Sequence, residues 1–498
     1  MKSSNCRLVM VFFSRDIEAA RLIMKIKLPE IIQGGMGAGV SNWRLARAVS
    51  ELGQLGVVSG TALDQILLRR LQVGDPGGHM RRGLAAFPFR RLAEQIVETF
   101  YIPNGKSPDQ PFRSVPMHAI EGSEWQNGLC TAANFVEVFL AREGHGNPVG
   151  INYLEKIQLP HLPSIYGAML AGVDVVIVGA GIPFEIPAVL DSLTEHGQAS
   201  YTVQVNGSSS DEQTRLTFDP ASLQDEGDEL PELSRPDFLP IVSSQTLATV
   251  LKRRVGSGLS GFVVEGSPAG GHNAPPRGRP RYADSGELIY GPRDQIDLSA
   301  IGKLGLPFWL AGSYGSPEGL RSARSAGAAG VQVGTAFALC RESGLDPSVR
   351  LDLVAKALRG EVKVFTDPVA SPTGFPFKVA QLEGSLSEQT VYDRRRRICD
   401  LGYLREPYRR DDGSIGYRCP AEPETVYQAK SGDPEATEGR KCLCNALVAN
   451  IGLGQRRPDG ADEPGLLTLG DDVAEIGRFC NLDSPDYSAA DVIRVLTA

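Results

Sequence analysis

From Leu28 onward the chain alternates short, largely apolar runs with longer amphipathic stretches. The runs LPEIIQGG, VVSG, PVGINYL, DVVIVGAG, LPIVSS, GFVVEG, LPFWLAG and AGVQVGT read as strands, and their continuity is that of strands buried on both faces. Between them, SNWRLARAVSELGQLG sets Leu45, Ala48, Val49 and Leu52 on one helical face, with Ser41 as its N-cap. Leu63 to Leu71, PSIYGAMLAGV, PAVLDSLTEHG, QTLATVLKRRVGSG and SPEGLRSARSAGA read as further helices, ASYTVQV as a weaker strand, and FALCRESG as a continuation of the last strand. About eight strand–helix units therefore follow one another. Such alternation allows a (β/α)8 TIM barrel or an open doubly wound sheet. The count near eight, with polar or Gly-rich residues after so many strand ends, selects the barrel.

Two stretches break the alternation. Residues 75–147 are too long for a connecting loop and read as an insertion with structure of its own, including a helical piece from Ala132 to Glu143. The polar stretch from Asn206 to Pro236 reads as a surface excursion. Near residue 395 the composition turns polar, turn-rich and cysteine-bearing. The expected organisation is an N-terminal extension over 1–27, with Met24 the more natural start, a barrel over 28–395, and a C-terminal extension over 396–498.

Composition narrows the function classes. Of 498 residues, 42% are hydrophobic and 22% charged, enough for a large core and too apolar for global disorder. A net charge of −8 gives no overall attraction to nucleic acid or to an anionic membrane, so Arg394 to Arg397 read as a solvated or interdomain helix face. No run approaches the ~18 apolar residues of a membrane span, and Leu8 to Phe13 is too short for a secretory signal. The default location is the cytoplasm.

Glycine, at 56 residues, concentrates in loops after the apolar runs, and four such places could carry chemistry. In IIQGGMGAGVS, glycines after a buried strand let the backbone approach a flat or phosphorylated ligand, or simply make a tight turn. Asn152, in GINYL, stands at a strand top where it can meet a ligand edge or water. His272 lies in EGSPAGGHNAPP after the strand FVVE, where an imidazole can serve as base, acid or donor near neutrality. LAGSYG and GVQVGTAF, after the seventh and eighth strands, stand where such barrels bind phosphate, with Gly334 offering an open N–H and Thr335 a hydroxyl. Together these imply a flat, phosphorylated cofactor under His272. FMN fits. Pyridoxal phosphate would need a lysine, and these loops hold none. No P-loop or GxGxxG is present, and no second metal ligand follows His272 at ligand spacing.

Taken in order, IIQGGMG, GINYL, the AGGH loop, and LAGSYG followed by GVQVGTAFALCRES resemble the nitronate monooxygenases, a superfamily that includes FMN-dependent enoyl-acyl-carrier reductases. The resemblance runs over roughly residues 28 to 345. It implies a TIM barrel with FMN, lined by Gly35, Met36 and Gly37 and hydrogen-bonded by Asn152. Gly270 and Gly271, Gly312, Ser313, Gly334 and Thr335 would lie around the cofactor, mostly at its phosphate end, and Glu265 at the ring. His272 matches the family's catalytic histidine, orienting a nitronate or taking the α-proton of a nitroalkane. The chain departs from the family at Glu265, commonly Gln, at Pro268, commonly Glu, and at Gly312-Ser313-Tyr314, commonly Gly-Gly-Ile. An ionised Glu265 would disfavour an anionic reduced flavin unless protonated or paired.

The first expectation is a nitronate monooxygenase that uses O2 and a small-molecule substrate. An enoyl reductase fed by NAD(P)H is the second, and a non-catalytic flavin-binding component of a biosynthetic complex the third. A homo-oligomer is compatible with each. Outside the resemblance, Cys399, Cys419, Cys442 and Cys444 could form a tetrathiolate zinc site stapling the polar C-terminal segment, a cluster of iron and sulfur, or no site at all.

Overall fold

The computed structural model describes residues 24–209 and 212–498, so most of the N-terminal extension, with Cys6, lies outside the described residues. Eight parallel strands form the centre: β1 (Ile31–Gln33), β2 (Gly56–Ser59), β3 (Val149–Leu154), β4 (Val175–Gly179), β5 (Asp237–Val242), β6 (Phe262–Glu265), β7 (Phe308–Ala311) and β8 (Gly330–Val333). Their order is β1-β8-β7-β6-β5-β4-β3-β2. A parallel bridge from Ile32 to Leu55 joins the two ends, with Gln33 N–H donating to the Leu55 carbonyl at 2.9 Å. The sheet therefore closes into the expected TIM barrel. Its interior is filled by alternate strand residues, among them Ile32, Val57, Ile177, Leu239, Val263 and Trp309. The Trp309 indole N–H, buried with them, donates to the Pro29 carbonyl at 2.8 Å.

Helices cover the barrel from outside. They include α1 (Trp43–Glu51), α2 (Leu63–Gln72), α3 (Glu124–Arg142), α4 (His161–Leu170), α5 (Ile186–Thr194), α6 (Gln245–Val255) and α7 (Pro317–Ser325). Within residues 75–147 the chain makes shorter helices His79–Ala85 and Arg90–Phe100 before α3. Helix α3 starts earlier than its apolar pattern suggests, because a Ser123–Gln126 capping box satisfies its first turn. It is buried along almost its whole length, and its main chain meets α4 so closely that a Cβ on Gly167 would lie 2.1 Å from the Thr131 carbonyl oxygen.

Three local expectations are corrected. Helix α1 is capped by Asn42, whose side chain accepts from Leu45 N–H at 3.0 Å, and not by Ser41. Ser41 turns inward instead, accepting from Met36 N–H and donating to the Gly34 carbonyl, both at 2.8 Å. Ala199–Val203, the weaker strand, pairs antiparallel with Thr214–Phe218 outside the barrel. Its burial alternates residue by residue, as one-sided packing requires, whereas β4 is buried throughout. After β8 the chain does not continue as a strand: Thr335–Ala338 is a helical turn.

The C-terminal segment lies across the end of the barrel where the strands finish. A hairpin of Lys363–Asp367 and Phe377–Gln381 stands beside the loop after β6. A helix over Leu443–Ala449 and the stretch 466–472 complete the cover. Among the described residues, no helix is long and apolar enough to cross a membrane.

Candidate functional site

The loops leaving the C-terminal ends of the strands surround one cavity, partly open to solvent, and every cofactor-binding residue expected from the sequence lines it, as does His272. Each loop is shaped by a specific constraint. The loop after β1 lies so close to β3 that a Cβ on Gly35 would fall 2.3 Å from Asn152 Cβ. Gly37 holds φ +58°, the left-handed region where a side chain is strained. Gln33, at the end of β1, braces this loop. Its amide oxygen accepts from Val57 N–H at 2.9 Å and its amide nitrogen donates to Ser41 Oγ at 2.8 Å.

Glu265 ends β6. Burial pushes its carboxyl up to about 8, so near neutrality it is held mainly as the neutral acid. A neutral carboxylic acid offers one O–H donor and one carbonyl acceptor, the same pair an amide would offer. The substitution of Gln by Glu is thereby reconciled with a neutral ring partner. Because the folded chain holds this proton more tightly than the unfolded chain, whose value is near 4.5, stability falls as pH rises from about 4.5 to about 8. Glu265→Gln is therefore expected to raise the thermal midpoint at pH 8 and to leave it unchanged at pH 4. A scan at both pH values checks this, and equal midpoints at pH 8 would refute the neutral-acid assignment.

His272 is fixed from several sides. It bridges Phe377 in antiparallel fashion, Lys378 N–H donates to the Gly271 carbonyl at 2.9 Å, and Gly271 N–H donates to Thr468 Oγ1 at 2.7 Å. The ring stands edge-on to Phe377 at 4.8 Å. Its Nε2 lies 2.7 Å from Ser371 Oγ, which is 2.8 Å from Thr373 Oγ1. Burial, with a smaller contribution from Lys156, lowers the imidazole to about 4, so it is neutral at physiological pH. With Nε2–H donating to Ser371, the Nδ1 lone pair is left to receive a proton. Ser371→Ala removes that partner. One lost hydrogen bond of ~0.5–1.5 kcal/mol corresponds to a roughly two- to tenfold fall in kcat/KM. Steady-state kinetics on flavin-loaded protein across pH would show the fall together with a displaced acid limb, and an unmoved limb would give Ser371 a purely structural role.

At the far end, Gly312 and Ser313 are both left-handed, at φ +102° and +62°. The main-chain N–H groups of Ser313 and Thr335 have no hydrogen-bond partner among the described residues. Both residues line the cavity, so these two unpaired N–H groups are donors that an anion could accept. Unpaired donors at Ser313 and Thr335, glycine-rich walls and the polar groups of Asn152 and Glu265 are a lining that fits a flavin mononucleotide.

The remaining wall comes from residues that sequence reasoning did not single out for this site: Tyr403, Leu404, Leu443, Leu447, Thr468 to Gly470 and Asp472. Cys444 also lines it. Ser371 and Phe377 likewise meet His272 from a hairpin about a hundred residues downstream. No local periodicity marks these positions. The only signal is negative: a polar tail with too few apolar residues for a core of its own must pack against something.

The expected zinc site is not supported. Cys399, Cys419, Cys442 and Cys444 do converge, but as an apolar cluster with Ala421. Among the described residues, no group of three or more His, Cys, Asp or Glu side chains is arranged to hold a metal ion. Burial raises the Cys442 and Cys444 thiols, which is the direction of inert, protonated sulfur.

Comparison with known proteins bears on the same loops. The family model for nitronate monooxygenase matches residues 226–369, the stretch that carries Glu265, His272, Ser313 and Thr335. No curated protein matches the chain in sequence. Among solved structures, FabK from Thermotoga maritima overlays with a TM-score of 0.47 at 16% identity, covering 96% of this chain and 94% of that one. A nitroalkane oxidase from Streptomyces ansochromogenes gives 0.46 at 14% identity, covering 96% of each. The enoyl reductase domain of MlnA from the macrolactin biosynthesis cluster of Bacillus amyloliquefaciens gives 0.44 at 10%, covering 97% and 95%.

Proposed function

We propose that the protein is an FMN-dependent oxidoreductase that oxidises nitronates or nitroalkanes with O2. The observation that carries this reading is a neutral histidine, locked by Ser371, that lines one cavity with the unpaired N–H groups of Ser313 and Thr335, the histidine and both donors lying within the segment matched by the nitronate monooxygenase model. FMN, when bound, supplies two-electron oxidation and passes the electrons on to oxygen.

The chain's own residues do the rest. Gly35 lets the loop after β1 lie against Asn152, Gly37 allows its left-handed turn, and Asn152 and Glu265 would offer hydrogen bonds at the ring's edge. The Ser313 and Thr335 N–H groups would receive its phosphate. His272 takes the α-proton of a neutral nitroalkane at Nδ1, or, with Nδ1 protonated, donates to a nitronate oxygen. Its low pKa suits the neutral form needed for the first role. The apolar cover, including Leu404, Leu443 and Leu447, limits water around the reacting carbon.

Anaerobic reduction of the flavin-loaded protein, followed at the absorbance band near ~450 nm, tests the reading. A nitronate and NADPH are offered in parallel. Bleaching by the nitronate alone, reversed by air, supports it. Bleaching by NADPH alone transfers the assignment to an enoyl-type reductase, and a protein that takes up no flavin overturns both.

A further inference from the structure

The phosphate end of the cavity holds a carboxylate. Thr468 to Asp472 form a strap across the loops after β6 and β8: Thr468 receives Gly271 N–H at 2.7 Å, Asp471 N–H donates to the Pro268 carbonyl at 3.1 Å, and Gly470 N–H donates to Thr335 Oγ1 at 3.0 Å. The strap delivers the Asp472 side chain into the corner between Gly315 and Thr335. One of its carboxyl oxygens lies 3.1 Å from where a Cβ on Gly315 would stand, and the other lies 2.9 Å from where a Cβ on Gly470 would stand, with Thr335 Oγ1 3.1 Å from that same point. Burial raises the Asp472 carboxyl above its usual range, with Asp471 adding to the rise and Arg478 opposing it. Asp471 is itself paired with Lys378 at 2.6 Å. Among the described residues, no lysine or arginine lines the cavity.

The donor inventory then becomes restrictive. A threonine hydroxyl has one proton to give. In this structure the Thr335 oxygen accepts from Gly470 N–H, and the Asp472 carboxyl stands beside it. A phosphate seated on the Ser313 and Thr335 N–H groups would call on that one proton while facing the Asp472 carboxyl with no lysine or arginine lining between them.

We propose that Asp472 is a specificity-determining residue that opposes the phosphate of a bound flavin, so that the site holds FMN loosely relative to the same flavin without its phosphate. This rests on the flavin reading given above. Like charges a few ångströms apart at a partly buried site differ from a charge beside an amide by more than ~1.4 kcal/mol, or tenfold in affinity.

The test is flavin-fluorescence quenching on apo-protein, titrated with FMN and separately with riboflavin, for the unsubstituted chain, Asp472→Asn and Asp472→Ala. The expected result is FMN binding tighter by about tenfold in Asp472→Asn, with riboflavin affinity unchanged within about twofold. Riboflavin binding also reports that each variant is folded, and Asp472→Ala should change FMN affinity in the same direction. Unchanged or weaker FMN binding in both variants overturns the proposal, as does an equal gain for FMN and riboflavin. If no protein in the series binds either flavin, the flavin reading fails and the proposal with it. If riboflavin binds and the FMN preference does not move, only the proposal fails.

Discussion

His272→Ala is expected to lower turnover of a nitroalkane by about 10²- to 10⁴-fold, the usual contribution of a positioned general base, while leaving flavin content unchanged. The separation follows from the site's layout. His272 hangs on the loop after β6 and is held by Ser371 and Phe377, whereas the donors offered to the cofactor's phosphate sit on the loops after β7 and β8. Removing the imidazole leaves Gly271 N–H on Thr468 and Asn273 N–H on the Pro376 carbonyl, so the loop keeps its main-chain anchors. Preformed nitronates, which need no proton abstraction, should lose less than neutral nitroalkanes. The decisive data are kcat/KM for both substrates together with the absorbance ratio of bound flavin to protein. Equal turnover for variant and parent would remove His272 from the chemistry.

A large effect on stability is expected at Gly167. In α4 this residue lets the helix backbone lie against α3, and a Cβ would sit 2.1 Å from the Thr131 carbonyl oxygen, well inside any permitted contact. Gly167→Ala must therefore push the two helices apart along a buried seam that includes Ala132, Phe135 and Ile165. Overpacking of this kind costs about 3 kcal/mol or more, against the ~1 kcal/mol gain that Ala for Gly gives in an open helix. Gly302→Ala is the matched control, since a Cβ there meets nothing within 4 Å. Urea midpoints of the two variants should move in opposite directions, or Gly302→Ala should not move at all. A Gly167→Ala protein as stable as its parent would mean that the helices can separate without loss.

Much of this architecture is legible because it is written in local patterns. Both-face burial makes β3 to β8 continuous apolar runs, and the loops that follow them announce themselves by glycine, at Gly35, Gly271, Gly312 and Gly334. The misreadings have local physical causes. Ser41 and Asn42 are both good caps, and only the inward hydrogen bonds of Ser41 decide between them. Ala199–Val203 has strand character, but its alternation belongs to a two-stranded ribbon packed on one face. Ser371, Thr468 and Asp472 were hidden for a different reason. Each acts on a loop 99 to 197 residues away, and nothing in a polar, turn-rich sequence says which distant loop it will meet. For the cysteines the spacing alone leaves a metal site and unligated thiols open, and the surroundings decide: they are apolar, and burial raises the Cys442 and Cys444 thiols.

The strap also fixes when the site can exist. Gly271 and its partner Thr468 are 197 residues apart in the chain. At translation rates of about 5–20 residues per second, the loop bearing His272 precedes the residue that clamps it by roughly ten to forty seconds. During that interval the barrel can close, because its eight strands are complete by Val333, while the chamber above it lacks a wall. A nascent chain at that stage presents the apolar mouth to solvent and to chaperones. Retention of a cofactor is thus deferred to the last stretch of synthesis, and ribosome pausing between codons 340 and 440 should lengthen the exposure without altering a single residue of the finished protein.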